Sequence, residues 1–510
     1  MLIFETILLL LLGAALLSML AKAIGIPYPT LLALGGGIVA LLPGMPSLDL
    51  SPELILALFV APILVDAAHD ASLRDLKRLW RPISSLILVA VGLTTVAVAV
   101  TARWLLPDMP WAAAVALGAL LAPPDAVAAL AVMRQVAPPH RIRTVLEGES
   151  LLNDASSLLI YKLAVAAVAT GGFTLSGAAP AFFLVFVGSV VVGWVLAHLT
   201  VRIVARIKDA PTATIIQFVT TLGVWLIAEH FALSGVVTVV VFGLTVARRT
   251  PFAESARVRI VSFATWETVT FVLNVLAFTL IGLELRPILE VLNATQRGEW
   301  LVFAAAILVI VILVRLSWVL LHSAAVQIAG VGGGTQSESE ASRPSFKTGL
   351  VVGWSGMRGI VTIAAALALP EGFPYRDFIL ITAFIVVLGT LLIQGLTLRP
   401  LLLWLRLPHD GQVESELALA RASALQAAMN VLDRSNDPEA QRLKLEYEAK
   451  LAFASVGDDP HDSTESRLHR QVVPRARRAI ADLRHSGQIG DEAYRQVEQE
   501  LDWLELTTQA

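Results

Sequence analysis

The 510-residue sequence contains no cysteine. Disulfide frameworks, thiolate metal sites and cysteine nucleophiles are thereby excluded. Charge is scarce as well: Asp, Glu, Lys and Arg make up 15% of the chain, where soluble domains carry about a quarter. The nine histidines are scattered over loops and tail with no H-E-x-x-H pattern, so a zinc hydrolase is not read. The glycines that end at Gly334 are followed by Thr335 and Gln336, not by Lys-Ser/Thr, which excludes a phosphate-cradling loop and a nucleotide-driven pump. No excess of positive charge exists either, with 38 Lys and Arg against 41 Asp and Glu. Nucleic acid is therefore not an expected partner.

What remains is apolar. Hydrophobic residues form 56% of the sequence, and the mean hydropathy is +0.73. Such a chain cannot be a single soluble globule. About thirteen apolar runs are long enough to cross a bilayer as helices, near 2–20, 28–44, 52–70, 82–105, 111–134, 144–169, 176–200, 211–230, 232–248, 262–285, 299–322, 347–370 and 376–404. The first run lacks a basic n-region and carries Glu5, so a cleaved signal peptide is not expected. Basic residues occupy every other connection, among them Lys22, the group Arg74 to Arg81, Arg141 and Arg143, Arg202 to Lys208, Arg248 to Arg259, Lys347, and Arg399 with Arg406. The positive-inside rule then places the N-terminus outside and the C-terminus in the cytoplasm.

The expected fold is all-α: a polytopic transmembrane domain over residues 1–405 and a soluble, helical cytoplasmic tail over 406–510. From Arg406 onward there are 13 basic and 19 acidic residues, so the tail is acidic, with a regulatory or assembly role and no assignable partner. Helix breaks are expected in it at Asn436, Pro438, Gly457 to Pro460 and Gly487. The Gly- and Ser-rich stretch 330–345 reads as a cytoplasmic linker.

Ionisable groups inside apolar spans are costly and mark a substrate path. Asp125 follows Pro123 and Pro124 in LLAPPDAVAAL. Two adjacent prolines remove two backbone donors, so that helix is interrupted and its freed carbonyls become available as ion ligands. The sixth run opens LEGESLLNDASS. At 3.6 residues per turn Ser150 and Asp154 share one face, and Glu149 and Asn153 a neighbouring one. Glu147 reads as a solvated mouth residue. Arg315 in the eleventh run and Arg358 in GWSGMRGIV of the twelfth each need a carboxylate or carbonyl partner. The fifth and twelfth runs cross in opposite directions, each interrupted, as an inverted-repeat transporter presents them. Asp66, near the inner end of the third run, is placed at the cytoplasmic entrance; Asn274 and Glu267 read as polar packing.

LLAPPDAVAALAV, RIRTVLEGESLLNDASSLLIYKLA, ETVTFVLNVLAFTLIGLEL and VVGWSGMRGIVTIAAALALP, in that order, resemble the monovalent cation/proton antiporter family, in particular its bacterial sodium/proton exchangers. That resemblance covers roughly residues 1–405. It implies a homodimer of thirteen-helix protomers in a bacterial inner membrane, each with a moving core where helices 5 and 12 cross unwound beside the ion site. It further implies that Asp154 binds the cation and the proton, preceded by Asn153 as in the electroneutral branch. Asp125 and Ser150 complete the site, Glu149 pairs with Arg315, and Arg358 is the arginine of the second broken helix. One departure stands out: many members have a residue such as threonine before Asp-Pro, whereas here Pro124-Asp125-Ala126 supplies no hydroxyl.

The expected function is secondary antiport of Na⁺, with Li⁺ as an alternative ion, for H⁺ at 1:1, in pH and sodium homeostasis. No cofactor is implied and no enzyme chemistry. A single carboxylate that holds either a proton or a cation crosses with the same charge in both directions. Oxygen ligands suit a hard cation. Potassium/proton exchange is the nearest alternative, and a cation channel a further one. An intramembrane serine protease, drawn from Gly353-Trp354-Ser355-Gly356, lacks a histidine base on the last helix, the next being His409.

Overall fold

The computed structural model describes residues 2–42, 51–136, 138–170, 175–253, 256–291, 297–328, 345–408, 411–433 and 438–456, with isolated residues between 472 and 501. The linker read at 330–345, Ser345 apart, lies outside the described residues, as do Asn436, Gly457 to Pro460 and Gly487. Two compact units divide the chain, Met1–Asp410 and Gly411–Ala510.

In the first unit α1 (Leu2–Ile24) and α2 (Tyr28–Ala40) are followed by α3 (Pro52–Ile55), which runs through a π-turn at Leu56–Val60 into α4 (Ala61–Asp70). The short α5 (Leu73–Arg78) leads to α6 (Trp80–Ser84), which continues through a second π-turn at Ser85–Ala90 into α7 (Val91–Leu105). Next come α8 (Trp111–Leu121), α9 (Ala126–Val136), α10 (His140–Thr170), α11 (Leu175–Val204), α12 (Ala210–His230), α13 (Gly235–Ala253), α14 (Ala256–Leu283), α15 (Leu285–Val291) and α16 (Arg297–Ile328). The unit closes with α17 (Phe346–Trp354), α18 (Ile360–Leu367) and α19 (Arg376–Leu405). In the second unit α20 (Gln412–Leu432) packs on α21 (Pro438–Val456), and Lys444 Nζ meets Asp433 Oδ1 at 2.6 Å.

The fold is all-α and polytopic. Each of the thirteen apolar runs carries helix. Among the described residues nine helices are long and apolar enough to cross a bilayer, and Leu8–Ile24 and Tyr28–Ala40 are shorter apolar helices. The run at 347–370 is not among the nine because Ser355–Gly359 divides it into α17 and α18. The sixth run starts earlier than its hydropathy indicates: Pro138-Pro139 ends the preceding segment and α10 begins at His140. Asp154 consequently lies at the midpoint of a 31-residue helix.

Around a buried apolar core, the outer surface is apolar too, and a few charged side chains lie inside. Large apolar side chains such as Leu9, Met19, Trp104 and Leu184 face outward, while Glu149, Asn153, Asp154, Arg315 and Arg358 are buried. Lipid tails supply no hydrophobic drive between helices, so close packing depends on small residues. The contact of α2 with α14 illustrates this: a Cβ on Gly36 would strike the Thr279 carbonyl, and one on Gly282 the Ala33 carbonyl.

Between the spans, Ser72 caps α5 by accepting a hydrogen bond from Asp75 N at 3.3 Å. The Asp75 carboxylate, its side chain 7% exposed, accepts from Arg74 Nε at 3.1 Å and meets His140 Nε2 at 3.2 Å. Burial alone would raise its pKa, but the hydrogen bonds from Arg74, Ser72 and His140 prevail and hold it below the usual carboxylate range. A depressed native pKa stabilises the fold above the unfolded value of about 4 and loses that contribution as pH falls through the native value. Asp75→Asn should therefore lower thermal stability in detergent at pH 7 by about 1–2 kcal/mol. The gap between the two proteins should close as the pH falls below the unfolded value and through the native one, as a melting series across pH would show.

Candidate functional site

Two interrupted helices meet at one point. Pro123 and Pro124 lack the N–H groups that would bond the carbonyls of Ala119 and Leu120, and Asp125 N turns away to donate to Met357 O at 2.6 Å. α8 therefore ends at Leu121, and α9 restarts at Ala126. The released acceptors find side chains instead. Ser157 on α10 donates to Ala119 O, Asn153 Nδ2 donates to Pro124 O at 3.2 Å, and Arg358 Nε donates to Leu121 O at 3.0 Å. Asp125 in turn accepts Val127 N at 2.8 Å through Oδ1, capping the first turn of α9.

Opposite it, the second interruption spans Ser355–Gly359. Arg358 N donates to Thr390 Oγ1 at 3.1 Å and its guanidinium also donates to the Gly356 carbonyl. A Cβ on Gly359 would overlap the Asp125 carboxylate. The backbone of Gly359 is extended, with φ −133°, so space and not conformation demands glycine. Gly359→Ala should displace the Asp125 carboxylate and lower transport by about tenfold or more at normal protein level, since ångström-scale misplacement of reacting groups carries penalties of that order. Vesicle flux measured beside an immunoblot checks this.

α10 presents two functional faces. On one, Glu149 forms a bidentate pair with Arg315 of α16, Nη1 to Oε1 at 2.5 Å and Nη2 to Oε2 at 2.9 Å. Arg315 Nη2 also donates to Val352 O at 3.1 Å, linking α10, α16 and α17. The other face carries Ser150 and Asp154 into a cavity of about 90 Å³. Asp125, Asn274 and Thr362 line the same cavity from α8–α9, α14 and α18. Among the described residues Asp154 has no hydrogen-bond or ion-pair partner, while Arg315 pairs with the Glu149 carboxylate and Arg358 donates to carbonyls through Nε and Nη1, its buried Nη2 left without a partner. Carboxylate, hydroxyl and amide oxygens around one void form a donor set for a hard monovalent cation.

A sequence model described as "Sodium/hydrogen exchanger, transmembrane" matches residues 7–404. The chain belongs to this family. It is 30% identical to an uncharacterized Na⁺/H⁺ exchanger of Mycobacterium bovis, over 94% of this chain and 91% of that protein. It is likewise 30% identical to a sodium, potassium, lithium and rubidium/H⁺ antiporter of Bacillus pumilus, over 88% of this chain and 68% of that one. The fold resembles the structure of the sodium proton antiporter MjNhaP1 from Methanocaldococcus jannaschii, at TM-score 0.58 and 19% identity, covering 79% of this chain and 99% of that one.

The cavity and both helix interruptions fall within the matched residues of this sodium/hydrogen exchanger family member. Of the remaining residues singled out in the sequence, Asn274 and Glu147 share the cavity and Asp66 stands beside it. Asp66 on α4 is half-buried and stands by Thr270, Asp70 and Glu267, whereas its neighbours Ile63, Leu64 and Ala67 line the cavity. Asn274, read as packing, lines the cavity. Its lone amide in the apolar stretch FVLNVLAF was the signal available in the sequence. Glu147 lines the cavity too. Among the described residues no group of three or more His, Cys, Asp or Glu forms a site for a resident metal.

Proposed function

We propose that this family member exchanges Na⁺ for H⁺ at 1:1, with Asp154 as the group that carries either ion. The observation that supports this reading most is the unpartnered, buried Asp154 carboxylate facing a cavity between two broken helices, with Arg315 paired to Glu149 and Arg358 bonded to backbone carbonyls. A charge so placed is neutralised only by what the cavity admits, a proton or a cation. Both ions occupy the same oxygens, so one displaces the other. A site that empties to the two sides in turn then couples their gradients. Asp125 and Ser150 contribute oxygens, and Asn153 fixes the Pro124 carbonyl beside them. The Glu149–Arg315 pair adds no net charge and holds α10 to α16, and Arg358 holds the two interruptions together. Because Asp154 crosses neutralised each way, the cycle moves no net charge.

The alternation of basic loops supports an N-terminus outside and a C-terminus in the cytoplasm of a bacterial inner membrane, with Asp66 near the cytoplasmic entrance. The antiporter resemblance supports a homodimer and a role in sodium and pH homeostasis, and residues 406–510 form the soluble tail. The test is a cation panel on everted membrane vesicles containing a pH-sensitive dye. NaCl and LiCl should dequench the dye at low concentration and KCl only at much higher concentration, with rates unchanged when valinomycin and K⁺ clamp the voltage. A KCl response equal to that of NaCl would reassign the cation, and a sodium current without proton movement would make the protein a channel.

A further inference from the structure

Glu147 belongs to the cavity as much as Asp154 does. Glu147, Ser150, Leu151 and Asp154 all line it from α10, and their spacing of three, four and seven residues is that of one helical stripe. At 1.5 Å per residue Glu147 stands about 10 Å along the axis from Asp154. Its side chain is 16% exposed and accepts a hydrogen bond from Arg143 Nε at 2.6 Å; the Arg143 side chain is 49% exposed. The stripe therefore runs from a half-exposed guanidinium, through a mostly buried carboxylate, to the unpartnered Asp154. A cation reaching Asp154 along this stripe passes a carboxylate already neutralised from the preceding turn of the same helix.

We infer that Glu147 is an entry station for the transported cation and that Arg143 is a tethered competitor for it. Intrahelical arginine occupies the carboxylate when no cation is there, so apparent cation affinity at the α10 entrance is set by the strength of an internal ion pair. Arg143 swings into solvent when a cation takes its place, which its half-exposed side chain permits without unpacking the core. This inference rests on the assignment of Asp154 as the ion site and on the topology that puts the start of α10 at the cytoplasmic face.

Everted vesicles expose that face to the bath, so titrating NaCl there reads the entrance directly. Arg143→Gln should lower the NaCl concentration giving half-maximal dequenching by about three- to tenfold, the scale of a partly buried ion pair of 0.6–1.4 kcal/mol. Arg143→Lys, which keeps the charge, should stay close to the parent. Glu147→Gln should raise the half-maximal concentration. The double variant Arg143→Gln/Glu147→Gln should match Glu147→Gln alone, because arginine acts only through the carboxylate. An Arg143→Gln value equal to the parent, or a double variant in which the two effects simply add, overturns the inference. Asp154→Asn run alongside separates the two failures. If it still exchanges, the ion-site assignment falls; if it is inactive while the Arg143 and Glu147 variants behave as the parent, only the entry station falls.

Discussion

Replacing Asp154 by asparagine should reduce sodium-induced dequenching to the background of vesicles lacking the protein, at an unchanged level of inserted protein. The amide has the size and shape of the carboxylic acid, so α10 keeps its packing and the cavity its volume of about 90 Å³. It cannot give up a proton to become an anion, and it cannot neutralise a cation. Both halves of the competition are lost together, which is why the expected effect is loss of exchange and not a shift in affinity. Glu149 does not substitute for it, because both of its oxygens are held by Arg315. Retained dequenching in Asp154→Asn, with immunoblots showing normal insertion, would move the exchange site elsewhere in the protein.

Arg315→Ala is expected to act on the protein before it acts on transport. Glu149 and Arg315 have side chains only 1% and 2% exposed, and each is the other's charge partner. Removing one member leaves an uncompensated buried charge, a loss of about 3–5 kcal/mol. Against a total stability of about 5–15 kcal/mol this is a large fraction. Yield after detergent extraction should fall sharply, and the surviving protein should melt at lower temperature. Its half-saturating sodium concentration should change less than its yield, because the pair lies on the α10 face turned away from Asp154. Glu149→Gln should be comparably harmful, leaving the buried guanidinium with neutral acceptors only and no counter-charge. The double variant Glu149→Gln/Arg315→Met removes both charges and should recover much of the lost stability, since apolar replacement of a whole buried pair is often tolerated. Thermal-shift measurements on the three variants decide the matter; single variants as stable as the parent, or a double variant as unstable as the sum of the two, would show that the pair is not coupled.

The interruption at Pro123-Pro124 was legible because it is local: a missing N–H is a property of two residues and needs no knowledge of the fold. The two faces of α10 were legible for a similar reason, since helical period alone separates Ser150 and Asp154 from Glu149 and Asn153. Other features depended on residues far apart in the chain. That Met357 O would take the Asp125 N–H, that Gly359 would yield its Cβ space to the Asp125 carboxylate, and that Arg358 would settle on carbonyls of Leu121 and Gly356 are outcomes of two helices crossing. Asn274, read as packing, lines the cavity, and a single amide on an apolar helix looks the same in the sequence whether it faces a neighbour or a void. Asp66 and Glu147 are distinguished only by the tertiary structure: Asp66 sits beside the cavity lining, and Glu147, read as a mouth residue, lies within it.

By itself, then, the sequence determined an all-helical membrane protein, the positions of its apolar runs and the interruption of two of them. Hydropathy and backbone donors are properties of short segments, so short segments report them. Only the tertiary structure decided which oxygens share a cavity and which backbone carbonyls the arginines bond. Charge pairing at α10 joins residues 166 positions apart in the chain, Glu149 and Arg315, and no local pattern carries the distance between them.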